Sequence, residues 1–178
     1  MFDGVMRSKK RYVIKNHLLR FGRHFIYHFT DKRNIESIKS RGGLLPRSKL
    51  TEPYIPGGNQ WSIEADDMIG MQNYVHLCFL SKHPMEFLAR EEGRIDPIWL
   101  EISTDVLDIP GILYCASVAN QAGAVYLSTA EAIKTLDFDH MYNFHDFTVE
   151  ENKIRHNLTQ KYEILVPALI PLAYIRGI

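Results

Sequence analysis

The chain has 178 residues, 46% of them hydrophobic, and balances 21 Lys or Arg against 21 Asp or Glu. That composition fits one domain with a sizeable core and excludes a disordered tail or a low-complexity repeat. Two cysteines in apolar runs, Cys78 and Cys115, exclude a disulfide framework and a zinc finger and point to a reducing, cytoplasmic setting. No leader is read at the start and no apolar run is long enough to span a bilayer, so no membrane association is expected.

The balanced charge hides an asymmetry. Residues 1–47 hold 12 Lys or Arg against 3 acids, and the rest hold 9 against 18. Either the basic head docks on the acidic body, or it tracks a nucleic-acid backbone. Residues 8–21 read as a basic amphipathic helix. Val13, Ile14, Leu18 and Phe21 share a face, with Lys9, Lys10, Arg11, Lys15 and Arg20 around it. The expected division is a basic helical extension over 1–24 and one domain over 25–178.

Phe25–Thr30 is β-branched and aromatic and reads as a strand. Asp31 then caps a helix whose Ile35 and Ile38 share a face, and Gly42–Gly43 ends it. A polar, glycine-rich stretch runs from Leu45 to about Gln72, with a helical turn over Ser62–Gly70. Such a long loop is usually functional. Trp61 within it is expected as a core plug, with a stacking surface for a base as the alternative.

Tyr74–Leu80 is the second strand, followed by a short helix over Met85–Arg90. Ile98–Ile102 and Ile112–Ala116 are further strands. Ser128 begins a helix to Leu136, with Glu131 completing a capping box. His140 and His145 with Asp139 and Asp146 are a weak metal pattern without a third clear ligand, and no metal is assigned. Gln160–Ile170 reads as two strands meeting at Pro167. Glu163 lies there among apolar neighbours, either facing solvent from an edge strand or facing a cleft.

Three stretches together resemble the DarT family of bacterial ADP-ribosyltransferase toxins, which modify bases in single-stranded DNA using NAD. They are Tyr27-His28-Phe29-Thr30 with Asn34-Ile35, Ile38 and Gly43-Leu44-Leu45; YVHLCFLSKHPMEF over 74–87; and Glu163 followed by three apolar residues. The resemblance covers residues 26–178 in order. It implies an α+β ADP-ribosyltransferase fold: split mixed or antiparallel sheets flanked by short helices, here with an N-terminal basic helix.

The resemblance also implies roles. Glu163 is the catalytic carboxylate. NAD, as co-substrate, is bound by His28, Phe29, Thr30, Asn34 and Leu45, with Met85 and Phe87 around nicotinamide, although both could equally be core residues of a short helix. The acceptor meets Asn120, Gln121, Lys161 and Arg47. Two departures concern the acceptor side. The family's lid-loop arginine has no counterpart between Arg47 and Arg90, leaving Arg47 and Lys49 as the nearest candidates. The target-engaging Gln or Glu two residues before the catalytic Glu is Lys161 here, with Gln160 one further away. The expected acceptor is single-stranded DNA or RNA, in a toxin–antitoxin or phage-defence setting with an antitoxin protein. The alternatives are a protein side chain as acceptor, or a non-catalytic nucleic-acid-binding module on a degenerate transferase fold.

Overall fold

A computed structural model describes residues 13–178. Residues 8–12 of the expected basic helix, with Lys9, Lys10 and Arg11, lie outside the described residues. The helix α1 runs over Val13–Arg20. Its Ile14 and Leu18 are fully buried in the main core beside Ile26 and Ile102. His17 packs edge-on against Phe138 and Phe21 against Tyr142. Lys15 pairs with Asp105 and, at 3.6 Å, with Asp108. For this part of the head, docking on the acidic body is what the structure displays. Residues on either side of position 24 share one core.

Strand β1 (Phe25–Asp31) follows. Asp31 caps a 3-10 turn over Lys32–Asn34, accepting from the Arg33 N–H, and that turn leads into α2 (Ile35–Ser40). The chain then turns through Gly42 into the short β2 (Gly43–Leu44), which pairs with β8 (Ile170–Pro171). At Gly43, with φ 147°, a Cβ would lie 2.0 Å from the Ile170 carbonyl oxygen, so only glycine lets the two strands close. The polar stretch that follows contains a full helix, α3 (Gln60–Ile69), capped by Asn59 and ended by Gly70. It is longer than the turn the sequence suggested.

The remaining elements are β3 (Val75–Cys78), α4 (Pro84–Glu91), β4 (Pro97–Ser103), β5 (Leu113–Cys115), β6 (Tyr126–Leu127), α5 (Thr129–Thr135), α6 (Phe138–Tyr142), α7 (Glu150–Thr159), β7 (Glu163–Val166) and β9 (Ile175–Arg176). The capping box of Ser128 and Glu131 forms at the start of α5 as the spacing predicts. Helix α7 was not read from the sequence, because its apolar residues Ile154 and Leu158 stay exposed and give it no buried stripe.

Seven strands form one sheet in the order β6-β5-β7-β3-β1-β4-β9, with antiparallel pairings. Side chains alternate across it. Leu77, Ile164 and Tyr114 are in register and point into the core. The next row, Cys78, Glu163 and Cys115, points to the opposite face. Glu163 is therefore on an interior strand, not an edge. Strands β1 and β4 pair over seven residues, but β1 and β3 share a single registered pair, Tyr27 with Cys78. Beyond it the strands part. This is the split that the α+β ADP-ribosyltransferase fold implies.

Among the described residues no helix is long and apolar enough to cross a membrane.

Because Leu18 is fully buried, Leu18→Ala should lower unfolding free energy by about 2–5 kcal/mol. Urea denaturation measures this. A change under about 0.5 kcal/mol, the size of a surface substitution, would mean that α1 is not part of the core.

Candidate active site

The main cavity opens where β1 and β3 part. Its floor is the sheet, and its roof is the segment from Arg47 through α3. Several side chains pin the roof. Asn34 donates to the Ile55 carbonyl at 2.8 Å and accepts from the Ile55 N–H at 2.9 Å, so its amide mimics a strand partner. Arg94 donates to the Gly57 carbonyl at 2.9 Å. A Cβ at Gly57 would lie 2.8 Å from the Phe29 ring, so glycine lets the roof touch that ring. Arg47 donates to the Ile63 carbonyl at 3.2 Å and pairs with Asp67, tying α3 down from its other side.

Glu163 sits on the sheet floor with only 5% of its surface exposed. Its Oε2 is 2.9 Å from His76 Nδ1, and its Oε1 is 3.3 Å from His83 Nε2. His76 Nε2 faces the Met71 carbonyl at 3.1 Å. Both ring nitrogens of His76 thus meet acceptors, which the doubly protonated imidazolium alone can satisfy. Burial works against that cation, but the Glu163 hydrogen bond and charge outweigh it and hold the His76 pKa up at about 9. Burial likewise opposes the Glu163 anion, yet His76 and His83 hold its pKa down at about 2. Buried Glu163 and part-buried His76 form an ion pair.

His83 precedes Pro84 and caps α4. Its Nδ1 accepts from the Met85 N–H at 3.3 Å, which leaves the proton on Nε2, turned toward Glu163. The approach is off-line for a hydrogen bond, so His83 contributes a nearby dipole rather than a formed bond.

His28 stands in the split. Its Nδ1 donates to the His76 carbonyl at 2.9 Å, taking the place of the strand N–H that is missing there. Burial lowers its pKa to about 4, with the neighbouring His76 charge contributing, so the ring is neutral and its Nε2 remains an acceptor at the cavity.

The structure gathers Glu163, His28, Phe29, Thr30, Asn34, Leu45, Arg47, Met85 and Asn120 around this one cavity. Three expected site residues lie elsewhere. Phe87 is 52% exposed and borders a separate pocket on the far side of His83, with Trp99 and Gln160. Helix α4 turns it about 200° from Met85, so the two cannot enclose one ring. Gln121 is exposed in its loop, and Lys161 is half-buried outside the cavity. Trp61 is not a core plug: it is 68% exposed on α3, in one stripe with Met68. Asn34 lines the cavity, but its amide is committed to Ile55 and to Thr30 Oγ1.

Among the cavity residues that escaped the sequence reading are His76, His83, Asp66 and Arg41. His76 had a signal, since it shares period-2 spacing with Cys78 on the face opposite Leu77. Arg41 is the last-turn cap of α2, and its buried Nε and Nη1 have no partner. An uncompensated guanidinium in a cavity fits an anionic ligand group.

Asp139, His140 and His145 bring ligand atoms within 4.8 Å of one another. The two imidazoles stack with centroids 3.9 Å apart and 7° between planes, so their lone pairs lie in parallel planes and do not meet at one ion. His140 is also held by Asp137 and Asn152.

Residues 27–178 match the family described as ssDNA thymidine ADP-ribosyltransferase, DarT. The chain belongs to the DarT family. Among solved structures it resembles Thermus sp. 2.9 DarT in complex with ADP-ribosylated ssDNA, at 18% identity over 85% of this chain and 78% of that one, with TM-score 0.65. The same DarT in complex with NAD+ matches at 19% identity over 85% and 79%, with TM-score 0.60. Thermosipho africanus DarTG in complex with ADP-ribose matches at 14% identity over 85% of this chain and 42% of that one, with TM-score 0.54. At these identities the likeness is one of fold. No curated protein sequence matches the chain. The DarT match begins inside β1, so α1 precedes the matched segment.

The ion pair makes a signed prediction. A histidine raised from its ordinary 6.5 to about 9 stabilises the fold fully below pH 6.5 and loses that contribution as pH rises through 9. In Glu163→Gln the same ring, still desolvated by its surroundings but without its anion, should titrate below 6.5. Imidazole NMR should find His76 charged at pH 7 in the native protein and neutral in the variant. A neutral His76 in both would refute the pair.

Proposed function

We propose that the protein transfers ADP-ribose from NAD to a thymidine base in single-stranded DNA. The observation that carries this reading is the buried Glu163 carboxylate, kept ionised by two histidines on the floor of a cavity, in a chain of the DarT family. The Thermus structures named above, with NAD+ and with ADP-ribosylated ssDNA, support both substrates by analogy of fold.

The residues fit NAD. Arg41 offers two unpartnered N–H groups suited to the pyrophosphate. His28 Nε2 accepts from a ribose hydroxyl, while its Nδ1 keeps the bond to the His76 carbonyl. Phe29 and Met85 supply apolar surface for a flat ring. NAD brings a cationic nicotinamide leaving group, and its departure builds positive charge on the ribose. Glu163 stabilises that charge, most effectively because its site is desolvated and already ordered before reaction. The His76 cation keeps Glu163 ionised, and its charge is offset by Glu163 rather than set against the ribose. The acceptor must be unpaired, because a stacked duplex hides the base edge.

A toxin role with an antitoxin partner is the biological setting this reading favours, by analogy with the DarTG neighbour. A phage-defence role, and RNA in place of DNA, rest on the sequence expectation alone. The basic head remains a candidate strand contact through Lys9, Lys10 and Arg11. Lys15, engaged with Asp105 and Asp108, is removed from that set.

Incubation with labelled NAD and separate pools of single-stranded DNA, RNA and protein tests the acceptor, and label on protein alone would overturn it. Glu163→Ala should cut nicotinamide release by on the order of a hundredfold or more while NAD still binds. Arg41→Gln should act differently, raising KM for NAD roughly tenfold or more with kcat nearly kept, because it touches the non-reacting pyrophosphate. A fall in kcat alone would remove Arg41 from the pyrophosphate.

A further inference from the structure

Joining ADP-ribose to a base nitrogen releases a proton, and Glu163 is poorly placed to take it. The ring nitrogen of the acceptor forms a bond to the ribose C1, and the C1–nicotinamide bond breaks. Its electron pair goes to the nicotinamide ring, which leaves neutral. The acceptor's N–H proton must then go to a base. Glu163 has one oxygen bonded to His76 and the other against His83, and it is among the weakest bases in the protein. His76 is an imidazolium with both nitrogens engaged, so it has no lone pair to offer.

We propose that Asp66, on the roof helix α3, is the general base that takes the proton from the acceptor's ring N–H. The assignment rests on the acceptor reading above. Asp66 lines the same cavity as Glu163, from the opposite wall. Its Oδ1 is buried and has no hydrogen-bond partner, so an acceptor is left open toward the cavity. The neighbours that could have neutralised it are held mainly by other groups. The Asn120 amide donates to Ser62 Oγ at 2.8 Å and is shared with the Asp66 carboxylate as the weakest influence on it, and the Arg47 guanidinium holds Asp67 and the Ile63 carbonyl.

The charged and titratable groups facing Asp66 come from every wall. His76 is on β3, Glu163 on β7, Arg47 follows β2, Tyr54 lies in the roof and Tyr126 on β6. Burial raises the Asp66 carboxyl above the ordinary carboxylate range; His76 and Arg47 oppose the rise and Glu163 adds to it. Two carboxylates in one cavity are thereby pushed apart. One is locked as a permanent anion for the ribose, and the other is left free to accept a proton. His28 Nε2 is the competing acceptor at the cavity, but in the reading above it is taken by a ribose hydroxyl.

The test uses the full chain, NAD and a thymidine-containing single strand, and measures both strand modification and nicotinamide release. In Asp66→Asn the ratio of transfer to hydrolysis should fall on the order of a hundredfold at neutral pH. It should recover at alkaline pH, where the imide N–H ionises in solution and needs no base. That recovery also establishes that the variant is folded. Asp66→Glu should restore part of the ratio at neutral pH. An Asn variant with the native ratio would overturn the proposal, and so would a loss that alkaline pH does not reverse or one reproduced only by His28→Ala. A native protein that releases nicotinamide but modifies no strand marks instead the failure of the acceptor reading, seen before any variant is compared, and withdraws the base assignment with it.

Discussion

A buried carboxylate and a part-buried imidazolium side by side on one face of the sheet set the terms for the rest of the molecule. Either charge alone would be costly in that position, and a buried charge that loses its partner destabilises by about 3–5 kcal/mol. Together they hold each other ionised. The arrangement depends on register. Glu163 is opposite Cys78 and Cys115, while Ile164 is opposite Leu77 and Tyr114. A slip of one residue would send the carboxylate into the core and the isoleucine into the cavity.

The cavity over that pair is made by interrupting the sheet rather than by adding to it. Seven residues of β1 are paired to β4, and its other edge parts from β3 after one pair. His28 closes the wound by donating to the exposed carbonyl of His76. One imidazole thus both satisfies the broken ladder and faces the ligand space. The roof follows the same economy, since Asn34 secures Ile55 through a side-chain copy of a strand pair.

Much of this was legible in the sequence, and the parts that were not have physical reasons. Strands β1, β3 and β7 were read from β-branched and aromatic runs, and the α5 box from Ser128 and Glu131. Nine of the expected residues meet at one cavity. Phe87 was misread because proximity in sequence to Met85 is not proximity in space on a helix. Trp61 was expected inside because large aromatics usually are, yet α3 turns it outward. Helix α7 lacks the apolar periodicity by which helices are recognised. Asp66 and Arg41 carry no local signature at all. What marks them is an unpartnered polar atom, and that is a property of the assembled fold alone.

The row Cys78–Glu163–Cys115 has a consequence for redox chemistry. Both thiols are free and buried, and they flank a carboxylate that is always charged. Oxidants and alkylating agents react with thiolate rather than thiol. Burial pushes the Cys78 thiol well up, and the adjacent Glu163 anion pushes it further. The same negative charge that serves the ribose therefore keeps the neighbouring sulfur protonated and inert. A cysteine in the wall of the active centre is in this way kept from reacting beside the carboxylate it adjoins.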